Sequence, residues 1–463
     1  MSIFFNHKYD IIDIVVMFMF IENETYKCDC IDLDSEGNGV CKIDDFIFFV
    51  KGPLKGERVS IKIDKVNKNF GLATLKDIYL KSPYRVKPEC PYYEQCGGCN
   101  LMHFNYYMHS NYKKYVVKDL LNRIGKVDAL VNDTISMSDP LHYRNNVQVS
   151  FSNDNGVIKA GFYAKKTHNV IDMDTCIIAP QIANRIVAFL KRLFTVNKIS
   201  IYNPKTKKGC IKHVIIRANK KSDVMLCFVT NTPKLEKKEI LVSELVKKFP
   251  KMVSILHNVN IGDTPIHLGD KTYLLYGTNY LTSTIFNTKF EIGLSSFYQV
   301  NTTQMEKLYS KVFEYLNLNK DMTLIDAYCG IGTMGLIASK HCKEVYGIEV
   351  VDEAIYNANR NKEINNITNA TFILGKAEDE IEKLVKNKKV DALIVDPPRK
   401  GCEESFLKAI VGIEKIVYVS CNPSTLARDL KFLKDYYDIV EVTPVDMFPF
   451  SNHVESVVLM LRK

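Results

Sequence analysis

The chain has 463 residues, 46% hydrophobic and 25% charged, and no tryptophan; this composition is that of a globular protein, and the length calls for two or three domains. A formal charge of +9 is modest for this size, so the distribution of charge says more than its total. Thirteen cysteines, an odd number scattered over a long chain, argue against a secreted disulfide framework and predict a reduced, cytoplasmic protein.

Residues 11–21, IIDIVVMFMFI, are apolar, but the run is short and broken by Asp13. It falls well below the roughly 20 residues of a membrane span. Its flanks also lack the basic start and small-residue cleavage site of a signal peptide. The expectation is an N-terminal strand, or a native start at Met17 or Met19, and no membrane association.

From residue 22, short strand-like runs (TYKCDCIDL, DFIFFV, RVSIKID, FGLATLKDIYL) alternate with glycine-rich turns, which predicts a small barrel over 20–80. Pro83 and Pro88 mark a boundary. Cysteines then cluster in ECPYYEQCGGCN, ahead of a helical stretch, YYMHSNYKKYVVKDLLNRI. Residues 141–290 alternate strand-like runs with lysine-rich turns, so 84–290 is read as a central α+β domain. Within it, residues 191–221 carry ten Lys/Arg and no Asp/Glu, which suits either a solvated surface or a polyanion partner.

Beyond residue 291 strands and helices alternate. The strand-like runs are TLIDAY (323–328), EVYGIEV (344–350), ATFILGK (370–376), ALIVDPP (392–398) and IVYVSCN (416–422), with VESVVLMLRK (454–463) completing the set. This is the pattern of a mostly parallel, doubly wound α/β sheet, in which ligands sit beyond the carboxyl ends of the strands. The first strand leads into Gly330-Ile-Gly332, where glycines let the backbone approach a ligand closely. The second ends in Glu349, 23 residues after Asp326, the usual place for an acid that binds ribose hydroxyls. The glycine spacing is not that of a dinucleotide site, so an adenosyl ligand without pyrophosphate is expected, and S-adenosylmethionine fits.

The last parallel strand ends in Ser420-Cys421-Asn422-Pro423. A thiolate beside a methyl donor suits attack on carbon 6 of a pyrimidine, because carbon 5 of uracil is too weak a nucleophile until such an adduct makes it an enolate. The helix that follows Cys421 is expected to favour its thiolate through the positive end of the helix dipole. A base must then remove the carbon 5 proton. Glu455 in SNHVESVV is favoured, with His453 as the competitor. Separately, Cys90, Cys96 and Cys99 present three thiolates and lack a fourth; their spacing alone permits zinc and iron–sulfur equally.

The combination SCNPSTLARDL, DPPRKG, DAYCGIGTMGL, SSFYQVN and HVESVVLM resembles the RNA uracil-C5 methyltransferase family, which makes 5-methyluridine. The resemblance covers nearly the whole chain. It implies a class I, Rossmann-like methyltransferase domain over 291–463, with Cys421 as nucleophile and Glu455 as proton-abstracting base. It also implies Gln299, Tyr328, Glu349 and Asp396 as S-adenosylmethionine contacts, with Asp396 close to the target base. Thr333-Met334 departs from the Asn-Phe of many relatives. The family's CGGC segment, with a distant cysteine before Ala-Pro, holds a [4Fe-4S] cluster; here this implies Cys90, Cys96, Cys99 and Cys176 as ligands, in a structural or RNA-positioning role. The other eight cysteines besides Cys421 are expected to be buried thiols.

The N-terminal barrel resembles a TRAM domain, with GNGV, FVKGPLKGERV and SPYRVKP in matching places; Lys51, Lys55 and Arg58 are candidate phosphate contacts. A barrel and a cluster together imply the 23S rRNA branch, since the tRNA branch typically lacks both. The expected protein is thus a monomeric RNA-binding enzyme. A tRNA uridine methyltransferase and a non-catalytic assembly factor of the same fold are the alternatives. A DNA cytosine enzyme is disfavoured, because Asp-Pro-Pro stands where its Pro-Cys pair would be.

Overall fold

The computed structural model describes residues 20–165, 167–262 and 267–463. The apolar run at 11–21 lies almost wholly outside them. No helix among the described residues is long and apolar enough to cross a membrane. The described residues fall into two compact units: one takes the chain through Tyr93, with 98–116 and 450–453, and the other takes 94–97, 117–449 and 454–463.

The first unit is built on a closed five-stranded barrel. Its strands are β1 (Thr25–Leu33), β2 (Asn38–Ile43), β3 (Phe46–Lys51), β4 (Arg58–Val66) and β5 (Gly71–Leu80), in the order β1-β2-β3-β5-β4. All neighbours are antiparallel except β3 and β5. Phe48, Val50, Val59, Ile61 and Ile63 fill the interior with three thiols, Cys28, Cys30 and Cys41. At Gly71 a Cβ would fall 2.2 Å from the Phe48 ring, so only glycine lets β5 close against β3. The buried Glu57 carboxylate accepts from Arg85 Nε (2.5 Å) and Nη2 (2.7 Å) and from the amides of Leu54 and Ser82. This fully satisfied ion pair holds the GPLKGERV turn to the SPYRVKP exit.

The helix predicted after the cysteine cluster is α1 (Tyr106–Leu120), prolonged by a π-turn over Leu121–Gly125. In the second unit, β6 (Leu130–Val131) is followed by β7 (Asn146–Asp154), β8 (Val157–Gly161), α2 (Gln181–Val196), β9 (Ile211–Ala218), β10 (Val224–Thr230), α3 (Lys238–Lys248), β11 (Met252–Val259) and β12 (Lys271–Gly277). Strands β7–β12 form one sheet in the order β12-β11-β10-β9-β7-β8. Leu190 and Phe194 of α2 and Leu241 and Leu245 of α3 pack with Val214, Ile216 and Phe228 into its main core. A hairpin of β13 (Leu281–Ile285) and β14 (Thr288–Ile292) leads on to the final sheet.

That sheet carries the site. Its elements are α4 (Thr302–Leu316), β15 (Thr323–Ala327), α5 (Thr333–Ala338), β16 (Glu344–Glu349), α6 (Asp352–Ile364), β17 (Ala370–Leu374), α7 (Ala377–Asn387), β18 (Ala392–Val395), α8 (Glu404–Ala409), β19 (Lys415–Ser420), α9 (Pro423–Leu433), β20 (Tyr437–Val445) and β21 (Glu455–Arg462). The order is β17-β16-β15-β18-β19-β21-β20-β6. β15 to β19 are parallel, and β21 lies antiparallel between β19 and β20. Strand order reverses between β15 and β18, which puts the ligand crevice at their carboxyl ends.

Candidate active site

Three strand ends converge there. β19 ends at Ser420, and Asn422 caps α9, its side chain accepting from the Ser424 amide at 3.1 Å, with Pro423 in the first turn. Cys421 is held between strand and cap as a free, half-buried thiol. Ser420 pairs with Ser456 of β21, the residue next to Glu455, and the Glu455 charge acts on the Cys421 thiol. β18 delivers Asp396 into the Pro397-Pro398-Arg399 loop.

That loop is stapled to α9. The Arg399 carbonyl accepts from Asn422 Nδ2 (3.1 Å) and Thr425 Oγ1 (3.2 Å). One turn on, the fully buried Asp429 accepts from the Cys402 amide (2.9 Å), Tyr418 Oη (2.7 Å) and the Arg428 guanidinium (2.7 and 2.8 Å). Arg428 in turn donates to the carbonyls of Lys400 and Cys402. Gly401, at φ +76°, runs so close that a Cβ would lie 2.6 Å from both Arg428 Nη2 and Asp429 Oδ2. DPPRKG and SCNPSTLARD are therefore one locked substructure.

The electrostatics differ from the sequence expectation. Burial, then the Glu455 and Asp396 charges, push the Cys421 thiol up to about 11, opposed by Arg399. Desolvation and two carboxylates act on the sulfur together. Glu455, only 3% exposed, is pushed up to about 8 by burial and by Asp396, again opposed by Arg399. Burial raises Asp396 to about 7. His453 is exposed, whereas Glu455 is enclosed. Arg399, Arg428 and Asp429 lay within quoted motifs but were given no role from sequence.

On the cofactor side, Gly330 (φ +54°) and Gly332 (φ +76°) turn the backbone after β15, and the space a Cβ would take at Gly330 is open. Glu349 accepts from the Gly330 amide (3.1 Å) with one oxygen and from the Val350 and Val351 amides (2.8 and 3.0 Å) with the other. Buried Asp326 accepts from the Gly335 amide at 2.7 Å, and its second oxygen, Oδ1, is buried with no partner. An open glycine turn, a ribose-height acid and an orphaned carboxylate oxygen fit an adenosyl ligand. Tyr328, at φ +63°, directs its hydroxyl to Glu378 (3.2 Å). Gln299 is buried, its carbonyl accepting from Asn145 Nδ2 at 2.8 Å. The Thr333 hydroxyl bonds to Tyr309 Oη at 3.2 Å.

The cysteines divide cleanly. Cys28, Cys30, Cys41, Cys210, Cys227, Cys329, Cys342 and Cys402 are buried, as expected, and only Cys90, Cys96, Cys99, Cys176 and Cys421 are not. Among the described residues no group of three or more His, Cys, Asp or Glu is placed to hold a metal ion. The expected shell of Cys90, Cys96, Cys99 and Cys176 therefore finds no support in the placement of the described residues. In the barrel, Lys55 and Arg58 are paired with Asp32 (3.3 Å) and Asp29 (3.0 Å), while Lys51 is exposed. Such exposed pairs are weak.

Comparison with known proteins agrees with this geometry. Residues 105–463 match the family described as tRNA (Uracil-5-)-methyltransferase, and residues 23–76 match the TRAM domain. An "Uncharacterized RNA methyltransferase" of Bacillus cereus is 44% identical over 437 residues, 93% of this chain and 95% of its own. One from Clostridium tetani is 42% identical over 95% of this chain and 96% of its own. The Pyrococcus abyssi tRNA (uracil-54, C5)-methyltransferase, solved in complex with S-adenosyl-L-homocysteine, superposes with a TM-score of 0.75 at 28% identity, over 94% of this chain and 99% of its own. The chain belongs to the tRNA (uracil-5-)-methyltransferase family of RNA methyltransferases and carries a TRAM domain ahead of the matched region.

Proposed function

We propose that the chain methylates carbon 5 of a uridine in 23S rRNA, using S-adenosylmethionine, through a covalent bond between Cys421 and carbon 6 of the base. The observation that carries this reading is the Cys421 thiol at a strand end with the buried carboxylates of Glu455 and Asp396 both acting on it. Cys421 Sγ adds to carbon 6, and the electron pair moves to carbon 5 and the carbonyl oxygen at carbon 4. Carbon 5 would then take the methyl group in line, the sulfonium S–CH3 bond breaking and S-adenosylhomocysteine leaving. Glu455 removes the carbon 5 proton, the double bond re-forms and the thiolate leaves. S-adenosylmethionine would supply the methyl group as a sulfonium. A Glu455 carboxyl near 8 is a base matched to neutral pH once ionised. Gln299, Tyr328, Gly330, Glu349 and Asp396 are the proposed cofactor contacts.

A second reading has its own support. The Pyrococcus abyssi tRNA enzyme matches over 94% of this chain, an extent that reaches into the barrel, so the barrel does not by itself favour rRNA over tRNA. The purified chain, S-adenosylmethionine and unmodified 23S rRNA or tRNA transcripts separate the two. 5-Methyluridine in the rRNA alone supports the first, in tRNA alone the second, and in neither overturns both. The chain is further proposed to act as a cytoplasmic monomer, and to hold a [4Fe-4S] cluster on Cys90, Cys96, Cys99 and Cys176. In support of the cluster, these four are, with Cys421, the cysteines left unburied.

A further inference from the structure

The fold divides the ten-cation segment. Lys191 pairs with Asp172 and Lys220 with Glu306, Lys212 is tied to Asn260 and Gly262, and buried Arg217 donates to the carbonyls of Leu294 and Ser296. These four serve the fold. The turn at 203–208, closed by an Asn203–Lys208 bridge, exposes Lys205, Lys207 and Lys208. Next to it runs the loop after β10, which exposes Lys234 and Lys237. Asn231 joins the two, donating from Nδ2 to the Lys207 carbonyl (3.3 Å), and Thr232 Oγ1 reaches Cys210 Sγ (3.2 Å). The acid between the two loop lysines, Glu236, is turned inward onto the Ser200 amide (2.8 Å) and hydroxyl (2.6 Å). None of the five lysines makes an ion pair among the described residues.

We propose that these five lysines form a second RNA-binding surface, which grips phosphates outside the target loop; the inference rests on the RNA-methylating reading. Five unopposed ammonium groups on two bonded loops attract a polyanion. Neither loop carries an aromatic residue, so the surface has nothing on which a base would stack and contacts the phosphate backbone alone. Its place in the fold adds the second argument. The turn lies at the start of β9, and Arg217 near the other end of that strand abuts the loop leading to Gln299. Eight residues of strand span roughly 24 Å. RNA that reaches both places must extend well beyond a single loop.

The test compares the full chain with the variant in which Lys205, Lys207, Lys208, Lys234 and Lys237 are all alanine, and with Lys205→Glu/Lys207→Glu/Lys208→Glu confined to the exposed turn. Binding to 23S rRNA and tRNA transcripts, and to a short stem–loop carrying the target uridine, is measured from low to high KCl. With at least one long transcript, the slope of log K against log salt should become shallower by about 4 in the five-lysine variant. Stem–loop binding should be unchanged. Unaltered slopes for both transcripts, or equal weakening on the stem–loop, would overturn the proposal, as would a partner that proves to be an acidic protein. A wild-type chain that forms no 5-methyluridine while the slopes still fall would sink the methylation reading and leave the surface standing.

Discussion

The Glu455 carboxylate, at the head of β21, acts with that of Asp396 on the Cys421 thiol just past the end of β19, next to the Ser420–Ser456 pair. The proposed nucleophile and base thus sit at the ends of two neighbouring strands, which suits a reaction whose two ends must act on adjacent carbons of one ring. Cys421→Ala is expected to abolish both adduct and turnover while RNA binding persists. Glu455→Gln should instead accumulate a covalent protein–RNA species on denaturing gels, since elimination needs the base. Full turnover in the cysteine variant would end the covalent mechanism.

Glu455 and Asp396 are held near 8 and 7, above their ordinary values of 4.5 and 3.8. Between the ordinary and folded values the folded chain binds more protons than the unfolded one, so these groups make stability fall as pH rises through that window. Glu455→Gln removes one contribution. Its melting temperature should therefore gain on the wild type between about pH 4 and pH 9. A difference that stays flat with pH would contradict the buried carboxyl.

Cys421, near 11, is mostly protonated at neutral pH. Adduct formation in a single turnover should accelerate as pH rises from about 7 to 9, because only the thiolate attacks. A rate independent of pH over this range would show that the thiolate is already formed when RNA is bound.

Asp429 joins Cys402, Tyr418 and Arg428 and so fixes the Arg399 loop to the helix that follows Cys421. Asp429→Asn keeps the shape and removes the charge. It should cost about 2 kcal/mol of stability and slow adduct formation more than it weakens RNA binding. Chemical denaturation and single-turnover rates check the two parts. An unaltered adduct rate would leave Asp429 with a purely structural role.

Anaerobically purified chain is expected to carry about 4 iron atoms and broad brown absorbance, both lost in Cys96→Ser/Cys99→Ser. Stoichiometric zinc without iron would refute the cluster.

Much of the catalytic half is legible in local sequence. The runs at 323–328, 344–350, 370–376, 392–398 and 416–422 appear as β15 to β19, cut short where glycine, proline or a cap takes over. Parallel strands are buried on both faces, so each reads as an unbroken apolar run between helices. For the same reason Cys421 and Asp396 stood out as reactive groups at the ends of such runs. The barrel was readable as short strands and turns, but its closure was not, because β3 and β5 pair in parallel across the intervening β4. Nor was β6, two residues that join the last sheet from some 300 positions upstream.

The sequence alone therefore determined the order of elements and the chemical types at the strand ends. Tertiary structure alone decided which charges meet. Asp429, given no role by the sequence, is fully buried; Arg217 reads as part of a basic stripe and is spent on two carbonyls. The helix after Cys421 suggested an acidic thiol, and the enclosed carboxylates beside it gave the opposite. Hydrophobic periodicity is set by neighbours three or four residues away, whereas a proton's affinity is set by water lost and charges gained from strands far apart in the chain.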